Sequence, residues 1–155
     1  MAQLPTTDIF YRAATEENIP QLANIRARNS GTEVYWKQRI TGYINGTHNP
    51  RQSLKVRIVY AAFQNENIVG FVAGHLSHRF NCDGELQWID VLVERRRQRI
   101  GSTLIRCLAK WFITQNAYKI CVDPGNDDAR KFYDSNGAAQ LNQHWMYWED
   151  ISAIL

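Results

Sequence analysis

A chain of 155 residues, 45% hydrophobic and 21% charged, has the size and balance of one globular domain spanning 1–155, with no spare length for a second core. No run reaches the roughly 20 apolar residues of a membrane helix, and residues 1–7 lack the basic flank and apolar stretch of a leader, so a cytoplasmic protein is expected. The formal charge of +3 is mild, and the three cysteines, Cys82, Cys107 and Cys121, have no CxxC spacing, which argues for free thiols and no zinc.

Residues 9–13 read as a short first strand. Thr15 then offers an N-cap with Glu16 and Glu17 in the following turn, and a helix carrying Leu22, Ala23 and Ile25 is expected to run to about Asn29. A second helix with Tyr35, Trp36, Ile40 and Tyr43 follows Gly31. Residues 45–53, with Gly46 and Pro50, form a loop. The β-rich runs 57–64 and 68–80 are joined through Asn65, Glu66 and Asn67 in the manner of a hairpin, and residues 81–84 turn the chain into a third antiparallel strand, 85–93.

From there the pattern becomes a crossover. A helix over 98–115 places Ile100, Leu104, Leu108 and Phe112 at four-residue spacing, and a strand follows at 118–123. The two strands flanking that helix should be parallel with a right-handed connection. A further helix, 127–136, is closed by Gly137, and 145–149 reads as the last strand. The order βααβββαβαβ predicts an α/β fold, a mixed and mostly antiparallel sheet with helices on both faces and one parallel strand pair.

Chemistry concentrates between that parallel strand and its helix. Arg95, Arg96, Arg97, Gln98, Arg99, Ile100, Gly101 and Ser102 bring guanidinium donors and a small residue to a helix start whose first N–H groups have no intrahelical partner. So compact a basic cluster suits a diphosphate better than a nucleic acid, whose partners spread Lys and Arg over a face.

The run Ile89, Asp90, Val91 followed by Arg96-x-x-Arg99-x-Gly101 resembles the coenzyme A signature of the GNAT N-acetyltransferase superfamily, with Arg99 standing where that family usually has glycine. Asn126-x-x-Ala129-x-x-Phe132-Tyr133-x-x-x-Gly137 resembles the later motif of the same family, in the expected order and separation, and Tyr11-Arg12-Ala13-Ala14 resembles how its members begin. The resemblance implies a GNAT fold and transfer of an acetyl group from acetyl-CoA to a primary amine by direct attack in a ternary complex. It implies that Ile89, Asp90 and Val91 hold the pantetheine and thioester through their backbone, that the loop from Arg96 to Ser102 holds the pyrophosphate, and that Asn126 bonds the coenzyme. Tyr133 matches the residue that protonates the departing thiolate. Glu85 matches the glutamate base of the histone-acetyltransferase branch, with Asp90 as the runner-up.

Cys121, on the strand where some relatives carry the base, is a poor base at a normal thiol pKa. His75 and His78, three apart on an expected strand, face opposite sides, and His144 is isolated, so no metal is implied. Tyr35, Trp36, Tyr43, Trp145, Tyr147 and Trp148 are expected around the acceptor or in core and dimer contacts, and suggest an apolar or cationic acceptor. The rival readings are a silent acetyl-CoA-binding module and a small nucleic-acid-binding protein that uses the arginines.

Overall fold

The computed structural model describes residues 8–96 and 98–155; residues 1–7, on which the expectation of no leader rests, and Arg97 lie outside it. Strand β1 (Phe10–Ala13) leads through a 3-10 turn, Glu16–Asn18, into α1 (Ile19–Ala27) and α2 (Glu33–Asn45). The helix expected from Thr15 is therefore shorter at both ends. Thr15 N–H donates to Asn18 Oδ1 at 2.9 Å, which holds the tight turn, and Pro20 sets the first α-helical residues. In α2, Thr32 caps the start by accepting from Tyr35 N–H at 3.1 Å, and Gly46 ends the helix at φ 79°.

The rest of the chain is β2 (Ser53–Gln64), β3 (Asn67–Ser77), β4 (Gly84–Val91), α3 (Ile100–Thr114), β5 (Ile120–Val122), α4 (Asp127–Ser135), β6 (Ala139–Gln140) and β7 (Met146–Trp148). These strands form a seven-stranded sheet of order β1-β2-β3-β4-β5-β7-β6. Only the β4 and β5 ladder is parallel, as the intervening helix requires.

Strand β2 starts earlier than expected because Ser53 pairs with Ser77 beyond a bulge. Strand β3 ends earlier, because Phe80 and Asn81 take left-handed backbone at φ 55° and 57°, which no strand accommodates. His78 is thus off the strand, and the expected opposition of His75 and His78 does not arise. Strand β4 stops at Val91, with Val93 in a 3-10 turn, Val93–Arg95. The two-residue β6 carries no period by which sequence could find it.

The sheet has two apolar faces. One packs Leu86 and Ile120 under Leu104, Leu108 and Phe112 of α3, with Tyr133 and Trp148 beside them. The other packs Phe71 and Trp88 under Leu22, Trp36, Ile40 and Tyr43 from α1 and α2. Each large apolar side chain so buried contributes roughly 1.5–3 kcal/mol. Among the described residues no helix is long and apolar enough to cross a membrane.

Candidate active site between two splayed strands

Strand β4 changes register once. Gly74 pairs with Leu86 but Ala73 pairs with Trp88, so Gln87 is an extra residue in the ladder. Strict alternation would put Glu85 on the same face as Ile89 and Val91. The bulge reverses this, sending Glu85, Trp88 and Asp90 toward α1 and α2, and Leu86, Ile89 and Val91 toward α3.

Beyond the bulge β4 also loses a neighbour. Its parallel ladder with β5 covers Gly84, Glu85 and Leu86 against Ile120, Cys121 and Val122, and ends there. Leu92 N–H still donates to Val69 carbonyl at 2.9 Å on the β3 side. Antiparallel backbone groups alternate in direction, so those of Asp90 and Trp88 point the same way. Those of Ile89 and Val91 point to the opposite side, into the gap where β5 no longer runs. A ligand with amide groups of its own would find there a row of unused donors and acceptors.

At the end of that gap α3 begins. Its first recorded backbone bond is Thr103 N–H to Arg99 carbonyl at 3.0 Å, so the N–H groups of Ile100, Gly101 and Ser102 face outward at the positive end of the helix. Arg96, Gln98 and Arg99 are exposed beside them, and Ile100 is buried. Arg99 takes the left-handed conformation, φ 61° and ψ 18°, which explains why glycine suits this place and costs an L-residue about 1 kcal/mol. Gly101 also has a packing role. A side chain there would lie 2.9 Å from the Phe132 ring, so its small size admits α4.

Both candidate bases are buried and already paired. Asp90 accepts from Arg26 Nη1 at 3.0 Å and from Asn29 Nδ2 at 2.6 Å. Burial raises its pKa while Arg26 and Asn29 pull it back. The Arg26 guanidinium stacks over Trp36 at 4.3 Å, so Asp90 is the anchor of a cation held by α1. Glu85 lies 5% exposed, not at an exposed strand end, with Oε1 at 3.1 Å from Arg79 Nε and 3.8 Å from His75 Nε2. Burial lifts its pKa to about 7 against the pull of Arg79. Burial also holds His75 neutral, with a pKa of about 3. His75 Nδ1 meets the Tyr43 hydroxyl at 3.0 Å; with that hydroxyl donating, the ring proton belongs on Nε2, toward Glu85.

Tyr133 lies across the gap on α4, its ring 6.0 Å from Trp148, and its hydroxyl has no hydrogen-bond partner among the described residues. Burial, reinforced by the charge of Asp90, raises its pKa, so it stays protonated. Asn126 caps α4 by accepting from Ala129 N–H at 2.8 Å, which leaves its Nδ2 for other use. Cys121 pairs with Glu85 in register, and its thiol is pushed up by Cys82 and by burial. A hollow of about 620 Å³ lies elsewhere, between α1, the β2 to β3 turn and Glu94 and Arg95, and of the basic cluster only Arg95 lines it among the described residues.

Residues 7–138 match the family model described as the acetyltransferase (GNAT) family, which is most of the chain. The chain belongs to this family. As a GNAT protein it is an acetyltransferase with acetyl-CoA as co-substrate. No curated protein sequence matches it. Its fold is similar to that of PaiA N-acetyltransferase from Thermoplasma acidophilum, solved with coenzyme A, at TM-score 0.70 and 16% identity over 93% of this chain and 99% of that one. It is also similar to aminoglycoside 6'-acetyltransferase type Ii, at TM-score 0.66 and 18% identity over 92% and 97% of the two chains. Ribosomal-protein-alanine N-acetyltransferase from Brucella melitensis biovar Abortus 2308 aligns at TM-score 0.63 and 20% identity over 85% and 92%.

The structure thus places Ile89, Asp90 and Val91 on the stretch of β4 that has no β5 neighbour and Glu85 on the paired stretch before it, opposite Cys121; Tyr133 is close enough to Asp90 to feel its charge, and Arg97 lies outside the described residues. Reading the sequence missed Arg26, Asn29, His75 and Arg79, which hold the two carboxylates. Arg26, in the last turn of α1, and Asn29, just past its end, left one trace, two polar residues three apart after a short apolar stripe.

Proposed function

We propose that the protein transfers an acetyl group from acetyl-CoA to a primary amine of a small molecule or peptide by direct attack in a ternary complex. The observation that carries this reading is the end of the β4 and β5 ladder at Leu86, which frees the backbone of Ile89 and Val91 beside the anion-seeking start of α3. In this reading those backbone groups hold the pantetheine and orient the thioester, with an N–H available to the developing oxyanion. The N–H groups of Ile100, Gly101 and Ser102, with Arg96, Arg97, Gln98 and Arg99, hold the pyrophosphate. Asn126, through its uncommitted Nδ2, adds a donor to the coenzyme.

The acceptor ammonium gives a proton to Glu85, whose pKa of about 7 is matched to a base working near neutrality. The amine nitrogen then forms a bond to the thioester carbon and the C–S bond breaks. Tyr133, kept protonated by burial, gives its O–H proton to the departing thiolate, and the second proton lost by the newly acylated nitrogen restores it. Asp90 holds Arg26 in place and keeps the α1 wall of the acceptor side closed.

Two measurements test the proposal. Acetyl-CoA should raise the melting midpoint, and coenzyme A thiol release over a panel of amines should fall in Glu85→Gln and Tyr133→Phe. No thermal shift with acetyl-CoA, together with a salt-sensitive shift with DNA or RNA, would sink it.

A further inference from the structure

We infer that the acceptor amine also carries a carboxylate and that Arg39 is the side chain that selects it, an inference that rests on the acetyltransferase reading. Helix α2 turns Trp36, Ile40 and Tyr43 onto the sheet, and Arg39 follows the same stripe, with its guanidinium carbon 5.8 Å from the centre of the Trp88 ring. An arginine at such a place ordinarily has an acid to answer it. Among the described residues Arg39 has no ion pair and no hydrogen bond, and its Nη1 is sealed from solvent without a partner.

The neighbouring groups are committed elsewhere. Asp90 holds Arg26 and Asn29, and Glu85 holds Arg79. The Trp36 indole N–H donates to Ser30 carbonyl at 2.7 Å, and the Tyr43 hydroxyl meets His75. With each acid matched to one arginine, Arg39 is a surplus cation against Trp88, which adjoins the Ile89 backbone. Gln87 Oε1, one residue before Trp88, is likewise buried and unpartnered, an unmet acceptor on the same stretch of β4.

A carboxylate answers both the charge and the planar fork of a guanidinium, and recovers the penalty of a buried N–H left without an acceptor. A polyamine would bring more positive charge to a wall that already carries an unmatched cation. Donor binding on the α3 side leaves the α1 and α2 face, where Arg39 sits, to the acceptor. An amino acid and a peptide with a free C-terminus share this chemistry.

The test follows coenzyme A release by the full chain with matched acceptors: amino acids, their amides, their decarboxylated amines, and short peptides with and without a free C-terminal carboxylate. The wild type is expected to favour carboxylate-bearing members by about 10- to 100-fold in kcat/KM, chiefly through KM. In Arg39→Gln the preference collapses toward one, and Arg39→Lys, which keeps the charge but not the fork, restores part of it. The free amino acids and the peptides report which source of the carboxylate is used. Equal kcat/KM across the matched acceptors, or a loss in Arg39→Gln shared alike by all of them, overturns the inference. If acetyl-CoA raises no melting midpoint and no amine is turned over, the parent reading falls, and this one with it.

Discussion

In the proposed reading, the groups offered to the donor are backbone: Ile89 and Val91 along the open edge of β4, then Ile100, Gly101 and Ser102 at the start of α3. On the side of β4 that faces α1 and α2 the groups are charged side chains, Glu85, Asp90, Arg26, Arg39 and Arg79, packed among tryptophans. Backbone groups tolerate substitution of the residues that carry them. Buried charges do not, because each depends on a particular partner. The first side suits a co-substrate common to a family, and the second suits an acceptor peculiar to one member.

The sharpest break of that contrast is Glu85→Gln, which should lower kcat/KM at neutral pH by about 10²- to 10³-fold and abolish the rise in rate through pH about 7 that follows from the Glu85 pKa. An unchanged pH–rate profile would remove Glu85 as the base. Next comes Arg26→Met, which strands Asp90 without its cation and should cost about 3–5 kcal/mol in denaturant unfolding, with most of it recovered in the Arg26→Met/Asp90→Leu double variant. Equal loss in single and double variants would show that Arg26 acts by packing alone.

Stability against pH sharpens the same point. The folded Glu85 pKa is raised from 4.5 to about 7, so its contribution is fully present below pH about 4.5 and is lost as pH climbs to about 7. Over that window the wild type should fall relative to Glu85→Gln by up to about 3 kcal/mol, read from melting curves of both proteins. The smallest effect belongs to the backbone side. Arg99→Gly should gain up to about 1 kcal/mol in the absence of ligand, the left-handed strain relieved less the added chain entropy. A destabilised Arg99→Gly would mean that the arginine side chain has a structural contact of its own.

The same division decides what the sequence makes legible. The crossover, the apolar stripe of α3, the cap at Asn126 and the junction at Arg99 are local patterns, written in spacing and in residue type within a few positions. The face that Glu85 occupies depends on one extra residue at Gln87, and its trace in Glu85-Leu86-Gln87-Trp88-Ile89 is only the adjacent apolar pair Trp88 and Ile89, which a strand buried on both faces carries without any bulge. The partner of Asp90 lies far off in sequence, at Arg26, and Arg79, only six residues before Glu85, reaches it because the chain reverses between β3 and β4. Gly101 shows a third limit. Its small size is visible, but the Phe132 ring that requires it comes from another helix.

The gap beside β4 also makes this sheet unfinished. Asp90 and Trp88 have β3 as a bonding partner, whereas the amides of Ile89 and Val91 face a place where a strand is missing. A ligand that bonds along that edge serves as the absent strand, so its arrival completes a piece of secondary structure. Hydrogen exchange would register this residue by residue: slow at Asp90 in the free protein, fast at Ile89 and Val91, and slow at all three once the edge is covered.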